Sequence, residues 1–326
     1  MNFSGFAGNQ ALKNRISELF SSNRFPHAVI LEGEKGLGKK RLAYLLAQAL
    51  VCTSGEEVPC GHCGGCVRAK TGNHPDIYTA EGSGKTGAIP VAAIRQLKED
   101  AYILPSEAER KVYILPDADR TLPAAQNAFL KCFEEPPPAA VFIITCATSR
   151  ALLDTIRSRG VILPLSELTL DEIRQVIDNP ERDTGIVEAF RIFGGNAGKI
   201  AESLEDTEFA GCISISENIL KALLSPKELD IVLASAPLEG KREKLNTVLE
   251  LLAMSFRDAL ALSLGVKGEA VTPSPIALEL AKKLPPSQLS ALYEQCAALR
   301  EGNNRFVNAA LLNSYMCSSL RERSGH

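Results

Sequence analysis

The run Gly33-Glu34-Lys35-Gly36-Leu37-Gly38-Lys39-Lys40 constrains this chain more than any other feature. It follows a β-branched apolar run at 28–31 and opens a helix-like segment at 40–51. Its spacing is that of a phosphate loop, G-x-x-x-x-G-K-[ST], whose glycines let backbone wrap a phosphate while helix N–H groups point at it. A strand, loop and helix joined in this way imply an α/β domain built on a parallel sheet. The next residues agree. Apolar runs at 76–79, 112–115, 141–145 and 161–163 alternate with helix-like segments at 91–102 and 124–133. The last of these segments must stop at Glu134-Glu135, because Pro136 excludes its predecessor from helical geometry.

After Pro164 the strand signals end. Thr169 and Glu172 have the spacing of a helix N-cap and its reciprocal partner. A small helical unit then runs to the turn Gly194-Gly195-Asn196-Ala197-Gly198, and from about residue 206 the period is helical throughout, with segments at 245–264, 276–284, 288–299 and 308–320. Prolines at 226, 237, 273, 275, 285 and 286 are read as separators of those helices. The expected organisation is a phosphate-loop domain over 1–165, a small helical domain over 166–205 and an all-α domain over 206–326. A chain of 326 residues accommodates two or three such domains.

The phosphate loop is incomplete. Lys39 would reach the β and γ phosphates, but Lys40 stands where a Ser or Thr hydroxyl should ligate Mg²⁺. The strand at 112–115 should end in a metal-binding Asp, yet Pro116 comes first, leaving Asp117, or Asp119 if the turn shifts. Two independent losses predict poor hydrolysis, whether or not ATP or ADP is bound at Gly33, Gly36, Gly38, Lys39 and Lys40. A second match, Gly82-Ser83-Gly84-Lys85-Thr86, has the correct ending but Thr79 in place of the first glycine, and reads as a polar loop.

Cys52, Cys60, Cys63 and Cys66 follow the spacing C-x7-C-x2-C-x2-C. Four thiolates at short range suit a closed tetrahedral structural zinc site. An iron–sulfur run would want a fourth Cys after three more residues, where Lys70 stands, and then Pro. His62 lies within the cluster as a competing ligand, and disulfides are the competing reading. Cys132, Cys146, Cys212, Cys296 and Cys317 sit among apolar neighbours and read as small buried hydrophobes.

Composition limits the function classes. Lys plus Arg number 36 and Asp plus Glu 39, for a net charge of −3, which gives no bulk charge for gripping nucleic acid. The longest uncharged apolar stretch, 139–147, is far short of a membrane span. The N-terminus carries Gly, Asn and Gln where a secretory segment would be apolar, so a cytoplasmic location with reduced thiols is expected.

Phe6-Ala-Gly-Asn-Gln10, Pro26-His27-Ala28, the phosphate loop, the four Cys, His74-Pro75-Asp76, Asn127 to Lys131, Glu134-Glu135-Pro136 and Ser158-Arg159 occur here in one order. In that order they resemble the AAA+ clamp-loader subunits of bacterial DNA polymerase III, and the losses at Lys40 and Pro116 resemble the delta-prime pattern among them. The resemblance is strong over 1–165, weaker in the lid and mostly architectural beyond about 206, where Asn303-Asn304-Arg305 is similar to the approach to a closing collar helix. It implies an AAA+ module, a helical lid lacking its usual Arg at Gly195 to Lys199, and a helical collar joining five subunits. The implied partners are tau/gamma and delta subunits, the sliding clamp indirectly, and primed DNA through the assembly. It further implies that Arg159, preceded by Ser158 and followed by Gly160 in place of the family's Cys, is an arginine finger for a neighbour's ATP site. An active tau/gamma-type motor and a zinc-containing nucleic-acid binder working alone are the competing readings.

Overall fold

The computed structural model describes residues 1–326 apart from 23, 55–56, 81, 83–87, 179–182, 267–273, 305–307 and 326. Its elements are, in chain order, α1 Gln10–Ser21, β1 Ala28–Glu32, α2 Lys39–Leu50, α3 Gly64–Lys70, β2 Ile77–Thr79, α4 Val91–Ala101, β3 Lys111–Leu115, α5 Pro123–Glu134, β4 Ala140–Cys146, α6 Asp154–Arg157 and β5 Val161–Pro164. Helices follow: α7 Leu170–Ile177, α8 Asp183–Phe193, α9 Ala197–Glu205, α10 Thr207–Leu223, α11 Glu228–Ser235, α12 Arg242–Ser263, α13 Pro275–Lys283, α14 Pro286–Asn304 and α15 Ala309–Ser324. Two compact units result, Met1–Val176 with Asn196–Gly198, and Ile177–Gly195 with Lys199–His326. Among the described residues no helix is long and apolar enough to cross a membrane.

All five expected strands form, in one sheet of order β2-β3-β4-β1-β5, and every pairing is parallel. Strands β3 and β4 are buried along their whole length, as unbroken apolar strings in a parallel sheet should be when helices cover both faces. Their period of two divides the core. Ile30, Tyr113, Phe142 and Ile144 point to a layer with Ile94, Leu97, Phe129 and Phe133 from α4 and α5. Val29, Leu31, Val112, Ile114, Val141 and Ile143 face Leu12, Ile16, Leu42 and Leu46 from α1 and α2. Phe142 anchors the first layer, with its ring 5.0 Å from Phe129 and 5.4 Å from both Phe133 and Tyr113.

The helix α1 was not among the expected segments, although Leu12, Ile16 and Phe20 recur every four residues along it. Its abundant polar residues disguise the stripe. The capping pair is present: the Thr169 N–H donates to Glu172 Oε2 at 2.8 Å, and the Glu172 N–H donates to Thr169 Oγ1 at 3.3 Å. Pro275 and Pro286 stand at the expected helix boundaries as the first residues of α13 and α14, where no N–H partner is needed. In the second unit α12 is the axis of the core. Its Leu245, Leu249, Leu252 and Phe256 are buried with Leu280, Leu289, Leu292 and Met316 from the helices around it.

His74-Pro75-Asp76 has a structural explanation. The Asp76 carboxylate is buried and accepts three backbone N–H bonds, from Ser106 at 2.6 Å, Glu107 at 2.8 Å and Ala108 at 2.9 Å. His74 Nδ1 accepts the Asp76 N–H at 3.1 Å. Burial alone would raise the Asp76 pKa, but the three donors overcome it and hold the carboxyl below its ordinary value. A depressed carboxylate stabilises the fold above its unfolded pKa of about 3.9 and loses that contribution as pH falls through the lower native value. Urea midpoints measured from pH 7 to pH 2 should therefore show Asp76→Asn less stable at pH 7 by about 1–3 kcal/mol, with the gap narrowing as pH falls through and below the unfolded value of about 3.9.

Candidate functional site

The phosphate loop leaves the C-terminal end of β1, where Glu32 lies beside Pro164 of β5, and runs into α2 at Lys39. Gly36 and Gly38 take φ of 102° and 87°, which carries the backbone around the loop. Lys39 is buried and folds back on the loop, its Nζ donating to the carbonyls of Gly33 at 2.5 Å and Glu34 at 2.8 Å. Burial lowers the Lys39 pKa, and the nearby Asp117 and Asp119 carboxylates oppose that shift. Lys40 Nζ lies 3.5 Å from Asp117 Oδ2. The extra lysine thus lies against the carboxylate that follows β3. Asp117 itself sits in the left-handed region at φ 47°, its N–H donating to Thr145 Oγ1. Asp119 Oδ2 accepts the Ala147 N–H at 3.0 Å, and its Oδ1 is buried with no hydrogen-bond partner among the described residues.

The turn expected to lack a lid Arg lies on this loop. Asn196 Nδ2 donates to Lys35 O and the Gly198 N–H donates to Gly36 O, both at 2.9 Å. A Cβ at residue 198 would fall 2.5 Å from Gly36 Cα, so the approach admits glycine alone. The stretch 194–198 reads in the sequence as a turn; Gly194 and Gly195 form it, whereas Ala197 and Gly198 already open α9, and the contact of Asn196 with Lys35, 161 residues earlier, was not legible. The competing match beginning at Gly82 lies, apart from Gly82 itself, outside the described residues.

Arg159 follows α6 and precedes β5. Val161 pairs with Val29 at the start of β1, whereas the phosphate loop begins beyond Glu32. Three residues of strand, about 10 Å, separate the two levels. Arg159 and the chain's own phosphate loop therefore lie at opposite ends of the sheet. The guanidinium is partly exposed, donates to Thr155 O at 3.0 Å and Ser158 Oγ at 3.4 Å, and lies 3.5 Å from Glu134 Oε1. Glu134 was readable only as the end of α5; its ion pair depends on the fold.

The four cysteines converge. Their Sγ atoms all lie within 4.8 Å of one another, and Cys52–Cys63 and Cys60–Cys66 are each 3.9 Å apart. Disulfide-bonded sulfurs would be about 2.05 Å apart. A tetrahedron with metal–sulfur bonds of about 2.3 Å has edges of about 3.8 Å, so this set could hold a metal ion. The local fold produces the convergence: Cys52 follows α2, Cys63 caps α3 by accepting the Cys66 N–H, and the Cys63 N–H donates to Cys60 Sγ. Burial would raise the Cys63 pKa, but backbone donors including Cys66 and Thr53 pull it down to about 5. His62 stands outside the set, its Nδ1 3.0 Å from Cys60 O. The other five cysteines are buried and form no disulfide among the described residues, as their surroundings in the sequence suggest.

An open parallel sheet of this order, with a phosphate loop after its β1 strand, is the module of an AAA+ protein. Comparison with known proteins narrows the class. The family model described as "DNA polymerase III, delta subunit" matches residues 8–169. The chain is 28% identical over 261 residues to DNA polymerase III subunit delta' of Bacillus subtilis (strain 168), covering 78% of this chain and 79% of that protein. It is 37% identical over 140 residues to subunit delta' of Yersinia pestis, covering 43% and 41%. It is 25% identical over 319 residues to subunit tau of Escherichia coli (strain K12), covering 90% of this chain and 49% of tau. The chain spans less than half the length of the last two relatives. The chain is thus similar to DNA polymerase III subunits of the delta' and tau kinds.

Elemental analysis of the purified chain should find one metal ion per molecule. The double substitution Cys63→Ser with Cys66→Ser should bring that content to near zero, since two thiolates leave a tetrahedral site half built.

Proposed function

We propose that this chain is a clamp-loader subunit of the delta-prime type, which supplies Arg159 in trans to the ATP site of a neighbouring tau/gamma-type subunit. In this reading it joins tau/gamma and delta subunits in a cytoplasmic assembly that loads a sliding clamp on primed DNA. The observation that carries the proposal is the separation of Arg159 from the chain's own phosphate loop, at opposite ends of strands β1 and β5. A finger so placed can serve only another molecule's phosphates. A guanidinium neutralises charge developing on a transferred phosphoryl group, and Ser158 and Glu134 hold it ready. Gly33, Gly36, Gly38, Lys39 and Lys40 form a nucleotide site of reduced competence, because Lys40 brings a cation where Mg²⁺ needs a hydroxyl and ties up Asp117.

A further feature supports assembly. Leu229, Val232 and Leu233 of α11 and Leu311 and Tyr315 of α15 are exposed, on two helices that pack together. Exposed apolar clusters of this kind mark contact surfaces. We assign zinc to the four-cysteine site, closed and structural, fastening the insertion to the end of α2; the metal does no chemistry there. The reading of an active motor draws on Lys39 and the intact loop glycines. Steady ATP hydrolysis by the isolated chain, lost in Lys39→Ala, would favour it over the delta-prime reading.

In a reconstituted loader, Arg159→Ala should cut ATP turnover at the served site by about 10³-fold or more while leaving this chain's unfolding midpoint unchanged. Unchanged turnover in a fully formed complex refutes the finger. Leu229→Glu with Leu233→Glu should shift the chain from the complex to the monomer position on gel filtration.

A further inference from the structure

A cleft of about 910 Å³ opens in the first unit between the N-terminal segment, one face of α2, the cysteine loop and the end of α3. It is distinct from the phosphate loop, since none of residues 33–40 lines it. Arg41, Tyr44, Leu45 and Gln48 form its α2 wall, at the spacing i, i+3, i+4, i+7 that puts four side chains on one helix face. Lys70 at the end of α3, Phe6 and Cys60 are also part of the lining.

The charge is one-sided. Arg41 and Lys70 line the cleft and, among the described residues, no carboxylate does. Neither cation has a hydrogen bond or ion pair with another described residue, whereas the neighbouring Arg68 is paired with Glu107. The carbonyls at the end of α3 do not offset this charge: the N–H groups of Thr71, Gly72 and Asn73 already cap Val67, Ala69 and Arg68. Arg41 also lies close to the N-terminal backbone. A Cβ at Gly5 would lie 2.7 Å from its Nη2, so the N-terminal backbone closes tightly on the guanidinium. The N-terminal segment is tied in turn to the cysteine loop by the Asn2 N–H on Val58 O at 2.7 Å. Tyr44 leaves nearly half its surface open, at 46%.

We propose that this cleft binds a phosphorylated nucleoside unit, with the phosphate on Arg41 and Lys70 and the base against the Tyr44 ring. Two unpaired cations facing a concave, carboxylate-free space concentrate an anion there. An exposed aromatic one helical turn from a guanidinium gives a base its stacking surface. The volume fits a compact ligand, within the range of about 300–1,000 Å³ typical of small-molecule sites. An acidic peptide would leave the ring unused and needs an extended groove with more than two cations. The unit can come from a free nucleotide or from single-stranded DNA. The inference does not rest on the trans role of Arg159.

The test titrates the full chain at low salt with two probes, a fluorescent AMP analogue and a labelled pentathymidylate. At least one should bind. Arg41→Glu with Lys70→Glu should weaken that binding tenfold or more, and Tyr44→Ala by about tenfold. For the strand, the slope of log K against log salt should fall by about 0.7 per cation removed. Binding of AMP alone assigns free nucleotide as the source; binding of the strand alone assigns DNA. Arg41→Gln with Lys70→Gln, checked for unchanged melting and metal content, replaces the charge reversal if that variant unfolds. The proposal is overturned if neither probe binds, if only Lys39→Ala abolishes binding, if the charge variants bind as well as the native chain, or if a glutamate-rich peptide binds where both probes fail.

Discussion

The pairing of β1 with β4 on one side and β5 on the other sets the position of everything that follows. Parallel register forces each strand to enter at one edge of the sheet and leave at the opposite one. The loop after β1 and the turn before β5 are therefore at different levels by construction, not by any later adjustment. One carries the phosphate-binding backbone and the other carries Arg159. Burying Ile30, Phe142 and Ile144 against α4 and α5 fixes that register, because a slip of one residue would turn each core side chain to the wrong face.

The changed phosphate loop has a local logic. A lysine beside Lys39 would leave two cations at one helix start, but Asp117 lies against Lys40 and offsets the second. The same contact occupies the carboxylate that could otherwise help hold a metal ion. The turn at Asn196 and Gly198 then bonds to carbonyls of Lys35 and Gly36. These bonds brace the loop from within the chain.

Much of this was legible in the sequence. The strands announce themselves because a parallel sheet buried on both faces demands unbroken apolar runs. The capping pair at Thr169 and Glu172 and the convergence of four cysteines are encoded within a few residues, so spacing suffices to find them. The helix α1 escaped because its stripe is thin and its remaining positions are polar. Pro275 and Pro286 mark helix boundaries in sequence and in structure alike, since a proline is tolerated as the first helical residue. Asp76, Glu134 and the cleft beside Arg41 depend on partners 30, 25 and 29 positions away, and no local pattern carries such information.

The two margins of the sheet are blunt. Strand β2 spans only Ile77–Thr79, and β5 spans four residues and closes on Pro164, which has no amide hydrogen to donate. Short borders of this kind resist pairing with a foreign strand and guard against edge-to-edge aggregation. Neighbouring chains are thereby denied any backbone ladder to extend. Recognition must run through helix surfaces, turns and side chains, which can be released again in a way that a continuous shared sheet cannot.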